Sequence, residues 1–304
     1  MRIYELEHEN EKQETTEDSG LTLSHDRRFC TKFSEGCATW TSDKMSTASN
    51  TKSIYLAKRT LFAVKTCKKY HKERLPILLE TWGKAALNIE YFSDTRSKKY
   101  NTTLLPDVEK TERGHCQKTY AILKYFERES KKNGWKWLVI TDDDTILGVQ
   151  NLFNLLQNYN PSEPMLLGER YGFLLSKEKL GYDYLSGGAG MVFSEKMVKD
   201  MLKNNGKYCY CPNPDDHDDM ILAGWCMKNI QKPILHDERF HQNSPSVYSQ
   251  ELLDDREPIS FHKFRTIDAE HGTLEWNNPK ETYNKYFKES DTFLRTYKKE
   301  NQKS

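Results

Sequence analysis

Three adjacent carboxylates, Asp142-Asp143-Asp144, follow directly on the apolar run Trp137-Leu138-Val139-Ile140. Like charges set side by side cost energy unless a cation or hydrogen-bond donors compensate them. In extended geometry Asp142 and Asp144 share a face and Asp143 points away, so the outer pair could hold Mn²⁺ or Mg²⁺. A solvated acidic turn that caps the next helix would use the same residues. A second cluster, Asp215-Asp216-His217-Asp218-Asp219, leads into the apolar segment 220–225. Asp218 and Asp219 could cap and charge-match a helix N-terminus, or one of them could take a proton from a hydroxyl nucleophile. His262, in Ile259-Ser260-Phe261-His262-Lys263, and His241, in Arg239-Phe240-His241-Gln242, are possible further ligands beside otherwise structural surroundings. Gly187-Gly188-Ala189-Gly190 is a tight turn, or a place where backbone comes close to a substrate.

These residues need elements to position them. Short apolar runs at 54–57, 61–64, 89–92, 135–140, 165–168 and 191–193 predict strands. Helical spacing is expected over 71–82, 114–130 and 151–159, with a further helix starting at Ser194. Alternation of this kind predicts an α/β domain with a largely parallel sheet, in which ligands gather beyond the carboxyl ends of strands. The acidic triplet lies at such an end. Residues 1–50 read as a polar tail or linker with little apolar material to order it, because Glu5, Glu7, Glu9, Glu11, Glu14, Glu17 and Asp18 face only Arg2 and Lys12 in the first twenty positions. Residues 51–275 read as the folded domain and 276–304 as a charged helical extension.

The 304 residues carry 46 Lys and Arg against 45 Asp and Glu, a net charge of +1 that supplies no global field for nucleic acid or an anionic membrane. Binding must come from a local site. No apolar run approaches the ~18 residues of a membrane span, Met1 to Asn10 lack the order of a signal peptide, and the last residues are not a retrieval signal. Membrane association would therefore need a segment outside this chain. Seven cysteines (Cys30, Cys37, Cys67, Cys116, Cys209, Cys211 and Cys226) include no pair of CxxC motifs, so a zinc ribbon is not expected and disulfides are open.

Val64-Lys65-Thr66, Arg74 with Glu80-Thr81-Trp82, Phe92-Ser93-Asp94, Asp142-Asp143-Asp144, Gly187-Gly188-Ala189-Gly190 and Asp218-Asp219 occur in an order that resembles the Fringe-like β1,3-glycosyltransferases. The segments 113–119, 167–172 and 258–263 look most like the branch of that family that adds glucose to O-linked fucose on thrombospondin type 1 repeats. The likeness covers about residues 54–275.

It implies a GT-A (Rossmann-like) fold, a UDP-sugar donor, UDP-glucose above all, and an inverting transfer supported by Mn²⁺, with Mg²⁺ as the substitute. Asp142, Asp144 and His262 would form the metal shell, with His241 in reserve. Asp219, or else Asp218, would be the base. Thr66, Arg74, Asp94, Lys118, Asp142, Asp143, Gly188, Ala189 and Gly190 would contact the donor, Asp94 facing the uracil. His217 stands where Fringe enzymes have proline before the paired aspartates. A galactosyl- or N-acetylglucosaminyltransferase of the same fold, or a non-catalytic glycan-binding module, would share most of these features. The likeness also implies the endoplasmic reticulum lumen or secretory pathway, where disulfides among Cys67, Cys116, Cys209, Cys211 and Cys226 and the sequon Asn101-Thr102-Thr103 would matter.

Overall fold

The computed structural model describes residues 42–105, 108, 115–174, 181–267, 274–276 and 278–301. Helix α1 (Ser42–Arg59) leads into strand β1 (Thr60–Lys65), followed by α2 (Leu75–Glu80), β2 (Asn88–Ser93), β3 (Thr102–Leu104) and α3 (Cys116–Asn133). Next come β4 (Trp137–Asp142), β5 (Thr145–Leu147), α4 (Val149–Leu156), β6 (Leu166–Gly168), β7 (Arg170–Phe173), β8 (Tyr182–Leu185), β9 (Met191–Ser194) and α5 (Glu195–Gly206). A short α6 (Asp218–Met220) runs through a π-turn at Ile221–Trp225 into α7 (Cys226–Asn229). The chain ends with β10 (Leu235–His236), β11 (Phe240–His241), α8 (Gln250–Asp255), β12 (Ser260–His262), β13 (Arg265–Ile267), β14 (Leu274–Trp276), α9 (Pro279–Tyr286) and α10 (Thr292–Asn301).

Seven strands form one sheet in the order β10-β6-β9-β4-β1-β2-β3. Strands β4, β1, β2 and β3 run parallel, and β9 lies antiparallel between β4 and β6. The alternating side chains of β1 explain why both faces are covered: Phe62 and Val64 enter one apolar cluster with Trp82, Trp137 and Phe153, while Leu61 and Ala63 enter another with Leu138, Ile140 and Phe126. This is the expected α/β sheet, parallel from β4 to β3 and mixed around β9. The chain steps from β1 outward to β3 and then returns to the other side of β1, so the carboxyl ends of β1 and β4 flank the point where strand order reverses. Their register sets Lys65 beside Asp142. A second sheet, β11-β12-β5, carries His262 and pairs it with Thr145, one residue past the triplet.

Two expectations change. Residues 54–57 are helical, within α1, and the buried positions Ser53, Leu56, Ala57 and Thr60 fall at helical spacing; a four-residue apolar run cannot by itself separate strand from helix. The helix expected over 71–82 is confined to Leu75–Glu80, because Pro76 belongs in a first turn and residues 70–74 form turns instead. Of the segment 1–50, residues 1–41 lie outside the described residues and 42–50 begin α1. Helices α9 and α10 pack inward through Tyr283, Phe287 and Leu294. Among the described residues no helix is long and apolar enough to cross a membrane.

Candidate active site

The triplet separates, although only Asp142 lies in β4 and Asp143 and Asp144 form the turn into β5. Asp143 turns inward, is 3% exposed, and accepts hydrogen bonds from Thr66 Oγ1 (2.6 Å) and Arg74 Nη1 (2.6 Å). Burial, only partly offset by Arg74, raises its carboxyl to about 6. Asp142 and Asp144 instead approach His262, and one ligand atom from each of the three lies within 4.8 Å of the others.

Each carboxylate presents a particular oxygen there. Lys65 Nζ holds Asp142 Oδ1 at 3.1 Å and Arg74 Nη1 holds Asp144 Oδ2 at 3.1 Å. Asp142 Oδ2 and Asp144 Oδ1 are left facing His262 Nε2, at 3.7 and 3.1 Å. His262 Nδ1 lies 3.1 Å from the Gln242 carbonyl, which can accept only a proton-bearing nitrogen; in the neutral ring the Nε2 lone pair then points at the carboxylates. Burial alone would lower His262, but Asp144 and then Asp142 raise it, so the pair attracts positive charge. Two carboxylate oxygens and one imidazole nitrogen suit Mn²⁺, which accepts a nitrogen ligand among oxygens more readily than Mg²⁺ does. The ring also needs Gly188: a Cβ there would sit 2.2 Å from His262 Nδ1. His241, by contrast, is buried against Phe261 and Tyr248, with Nδ1 3.0 Å from the Ser260 carbonyl, away from the acids.

The second cluster is reached through the same lysine. Lys65 Nζ donates to Asp218 Oδ2 at 2.5 Å, and Thr119 Oγ1 donates to that oxygen too. Despite burial, Lys65 is held protonated by Asp142 and Asp218, and it in turn keeps both acids below the usual carboxylate range against the pull of their own burial. Among the described residues Asp219 has no such cation contact: Oδ2 accepts from Gly187 N (3.1 Å) and Oδ1 from Met220 N (2.8 Å). Burial and then the Asp218 charge raise its pKa. One short turn therefore touches both clusters, with Gly187 bonded to Asp219 and Gly188 under His262. His217, with φ −69° and ψ 119°, keeps the backbone that a proline would impose.

Lys65, Thr66, Arg74, Asp94, Lys118, the triplet and His262 line a cleft of about 1030 Å³. Lys118 Nζ donates to the Thr66 carbonyl (2.8 Å) and is lowered by burial and by Lys65. Arg74 stacks over Tyr70, 3.7 Å from the ring centroid. Asp94 accepts from Lys68 N (2.8 Å). Gly190, at φ +97°, closes the turn in a conformation that favours glycine, and a Cβ on Gly168 would lie 2.8 Å from its carbonyl. Among the described residues two disulfides, Cys116–Cys211 and Cys209–Cys226, brace the approach to Asp218, and Cys67, in the cleft wall, is bonded to no other described cysteine. Asn101 of the sequon is exposed.

Sequence reasoning assigned no role to Lys65, Thr119, Gln242 or Glu169. Gln242 Oε1 accepts from Ser186 Oγ and from Ala189 N (3.0 Å), and its own N–H donates to Glu169 (2.6 Å), whose carboxyl burial raises to about 7. A lysine closing an apolar strand was a visible signal for the first; the other three carry none.

The family model described as Fringe-like matches residues 56–293. A mouse β-1,3-glucosyltransferase is 43% identical over 223 residues, covering 72% of this chain and 43% of its own length. Its human counterpart is 43% identical over 223 residues, covering 73% and 43%. A Fringe glycosyltransferase of Drosophila melanogaster is 27% identical over 203 residues, covering 60% and 48%. The chain thus spans less than half the length of these curated relatives.

Proposed function

The chain belongs to the Fringe-like family, and we propose that it is an inverting β1,3-glucosyltransferase that moves glucose from UDP-glucose to O-linked fucose on thrombospondin type 1 repeats. The observation that carries this reading is the turn Gly187-Gly188, which sets a base-like carboxylate on one side and a cation-binding triad on the other. The names of the mouse and human relatives favour glucose over galactose or N-acetylglucosamine.

Asp142, Asp144 and His262 would hold Mn²⁺, which when bound neutralises the charge that develops on the departing diphosphate. Lys65 and Arg74 hold the outer oxygens of the two aspartates and keep the inner ones aimed. Arg74, Lys118, Thr66 and Asp94 line the cleft where the nucleotide would lie. Asp219 accepts the proton of the acceptor 3-hydroxyl as that oxygen attacks the anomeric carbon opposite the leaving group, which inverts α to β. Asp218, already engaged by Lys65 and Thr119, positions its neighbour. The two disulfides accord with an oxidising compartment of the secretory pathway.

The test is transfer to fucosylated and unfucosylated thrombospondin repeats with UDP-glucose, UDP-galactose and UDP-N-acetylglucosamine, with Mn²⁺ and with chelator. Transfer from UDP-glucose to the fucosylated repeat, abolished by chelator, is expected. Preference for another donor would remove the glucose assignment. No Mn²⁺-dependent UDP binding by calorimetry would favour a non-catalytic module.

A further inference from the structure

Glu169 and Gln242 do not line the donor cleft, yet between them they reach both halves of the site from behind. Gln242, the residue after β11, uses three polar groups in three directions. Its backbone carbonyl faces His262 Nδ1 at 3.1 Å, on the metal side. Its side-chain oxygen accepts from Ser186 Oγ and from Ala189 N (3.0 Å), which flank Gly187 and Gly188 in the turn. Its backbone N–H donates to Glu169 Oε2 at 2.6 Å. Glu169 also holds the turn directly, because its backbone carbonyl accepts from Ser186 N at 2.9 Å. Thr145 Oγ1 on the Gly188 carbonyl (2.9 Å) and Ser260 Oγ on the Ala189 carbonyl (2.5 Å) pin the far side. Ser186 and Ala189 are buried, so water does not replace a bond that is lost there.

A backbone carbonyl orients an imidazole only as firmly as its own residue is held. The carboxylate of Glu169, between β6 and β7, is what holds Gln242. We propose that Glu169 and Gln242 are positioning residues that clamp His262 and the Gly187-Gly188 turn to one another, so that the metal ligand and the Asp219 carboxylate keep a fixed separation. Glu169 is the anchor. Gln242 carries the constraint to both sides, through its backbone to the histidine and through its side chain to the turn. The clamp deepens the glycosyl-transfer reading above and rests on it for the metal and the base.

The full chain and its variants are compared by Mn²⁺ calorimetry in the presence of UDP, by steady-state transfer kinetics, and by nitrogen NMR of the His262 ring in the metal-free chain at alkaline pH, where the ring is neutral. Glu169→Met, which keeps side-chain length without an acceptor, should weaken Mn²⁺ binding about 10-fold to 100-fold and turn the single Nδ1-protonated tautomer into a mixture. Glu169→Gln, whose amide oxygen can still accept from Gln242 N, should recover the affinity to within about fivefold of the unsubstituted chain. Gln242→Met leaves the backbone bonds to Glu169 and His262 in place and removes only the partner of the turn. Its kcat should fall about 10-fold to 100-fold while Mn²⁺ affinity and the KM for UDP-glucose stay within about threefold. That split separates positioning from loss of fold, and it decides the question alone should Glu169→Met fail to fold. An unchanged tautomer and Mn²⁺ affinity in Glu169→Met, or a Mn²⁺ affinity in Gln242→Met that drops as far as kcat, would overturn the clamp. A tautomer that responds to Glu169→Met in a chain that binds no Mn²⁺ would uphold the clamp and sink the metal reading instead.

Discussion

The two aspartate clusters are built on one plan and put to different ends. In each, one carboxylate is consumed by the protein: Asp143 by Thr66 and Arg74, Asp218 by Thr119 and Lys65. In each, its neighbour is left for chemistry. They differ in the charge that faces the spare group. Asp142 and Asp144 each meet a cation on the outer oxygen and turn the inner one to His262, the arrangement the proposed reading gives to a metal. Asp219 accepts hydrogen bonds only from backbone N–H groups among the described residues and feels Lys65 from further off, so burial and then the charge of Asp218 raise its proton affinity. In the proposed reading, identical side chains serve as ligand or base according to their burial and the charges that reach them.

Loss of the base should have the largest effect. Asp219→Asn keeps the side chain's shape but only one of its two acceptor oxygens, so it gives up one backbone hydrogen bond and cannot accept a proton; it is expected to lower kcat by about 10²-fold to 10⁴-fold with UDP and Mn²⁺ binding retained by calorimetry. The same raised affinity gives a pH signature. A base works only when deprotonated, so kcat should fall as pH drops through a value above the usual aspartate range, and that acid limb should vanish from the residual activity of Asp219→Asn. A limb that persists would place the base elsewhere.

Lys65 joins the clusters, and Lys65→Met should strand two buried carboxylates. A cost of about 3–5 kcal/mol is expected, read as a lower Tm. Because Asp142 and Asp218 are depressed in the folded state, the stability they contribute is present at neutral pH and is lost as pH falls through their folded values. In Lys65→Met that loss should begin at higher pH. Equal acid sensitivity of the variant and the parent chain would show that the lysine does not set those acids.

Gly188→Ala tests the metal side alone. With no room for the methyl under the His262 ring, Mn²⁺ affinity should weaken about 10-fold to 100-fold while Asp219 is untouched. His241→Gln is the smallest: Mn²⁺ affinity should stay within about twofold, since that ring packs on Phe261 and Tyr248 and bonds the Ser260 carbonyl, away from the acids.

Much of the site was legible in sequence because its chemistry is local. Three aspartates closing an apolar strand announce both their alternation and their place at a sheet edge, and the glycine turn and paired aspartates stand out by type. Lys65 was half legible, as a charge at the end of a buried strand, but its two partners come from β4 and from a segment 153 residues away. Gln242 was not legible at all, since its service to the site runs through its backbone carbonyl and through a side-chain amide that any solvent-facing glutamine also has. Residues 54–57 misled because four apolar residues carry no period.

The sequence by itself determined the alternation of strands and helices, the split of Asp142 and Asp144 from Asp143, and the family, since each depends on residue order over short spans. Only the tertiary structure decided that His262 and not His241 meets the carboxylates, that Asp218 is taken by Lys65 while Asp219 is spared, and that one glycine turn joins the two clusters. Those outcomes depend on strand register and on which cation arrives from a distant part of the chain, and neither is encoded within a window of neighbouring residues.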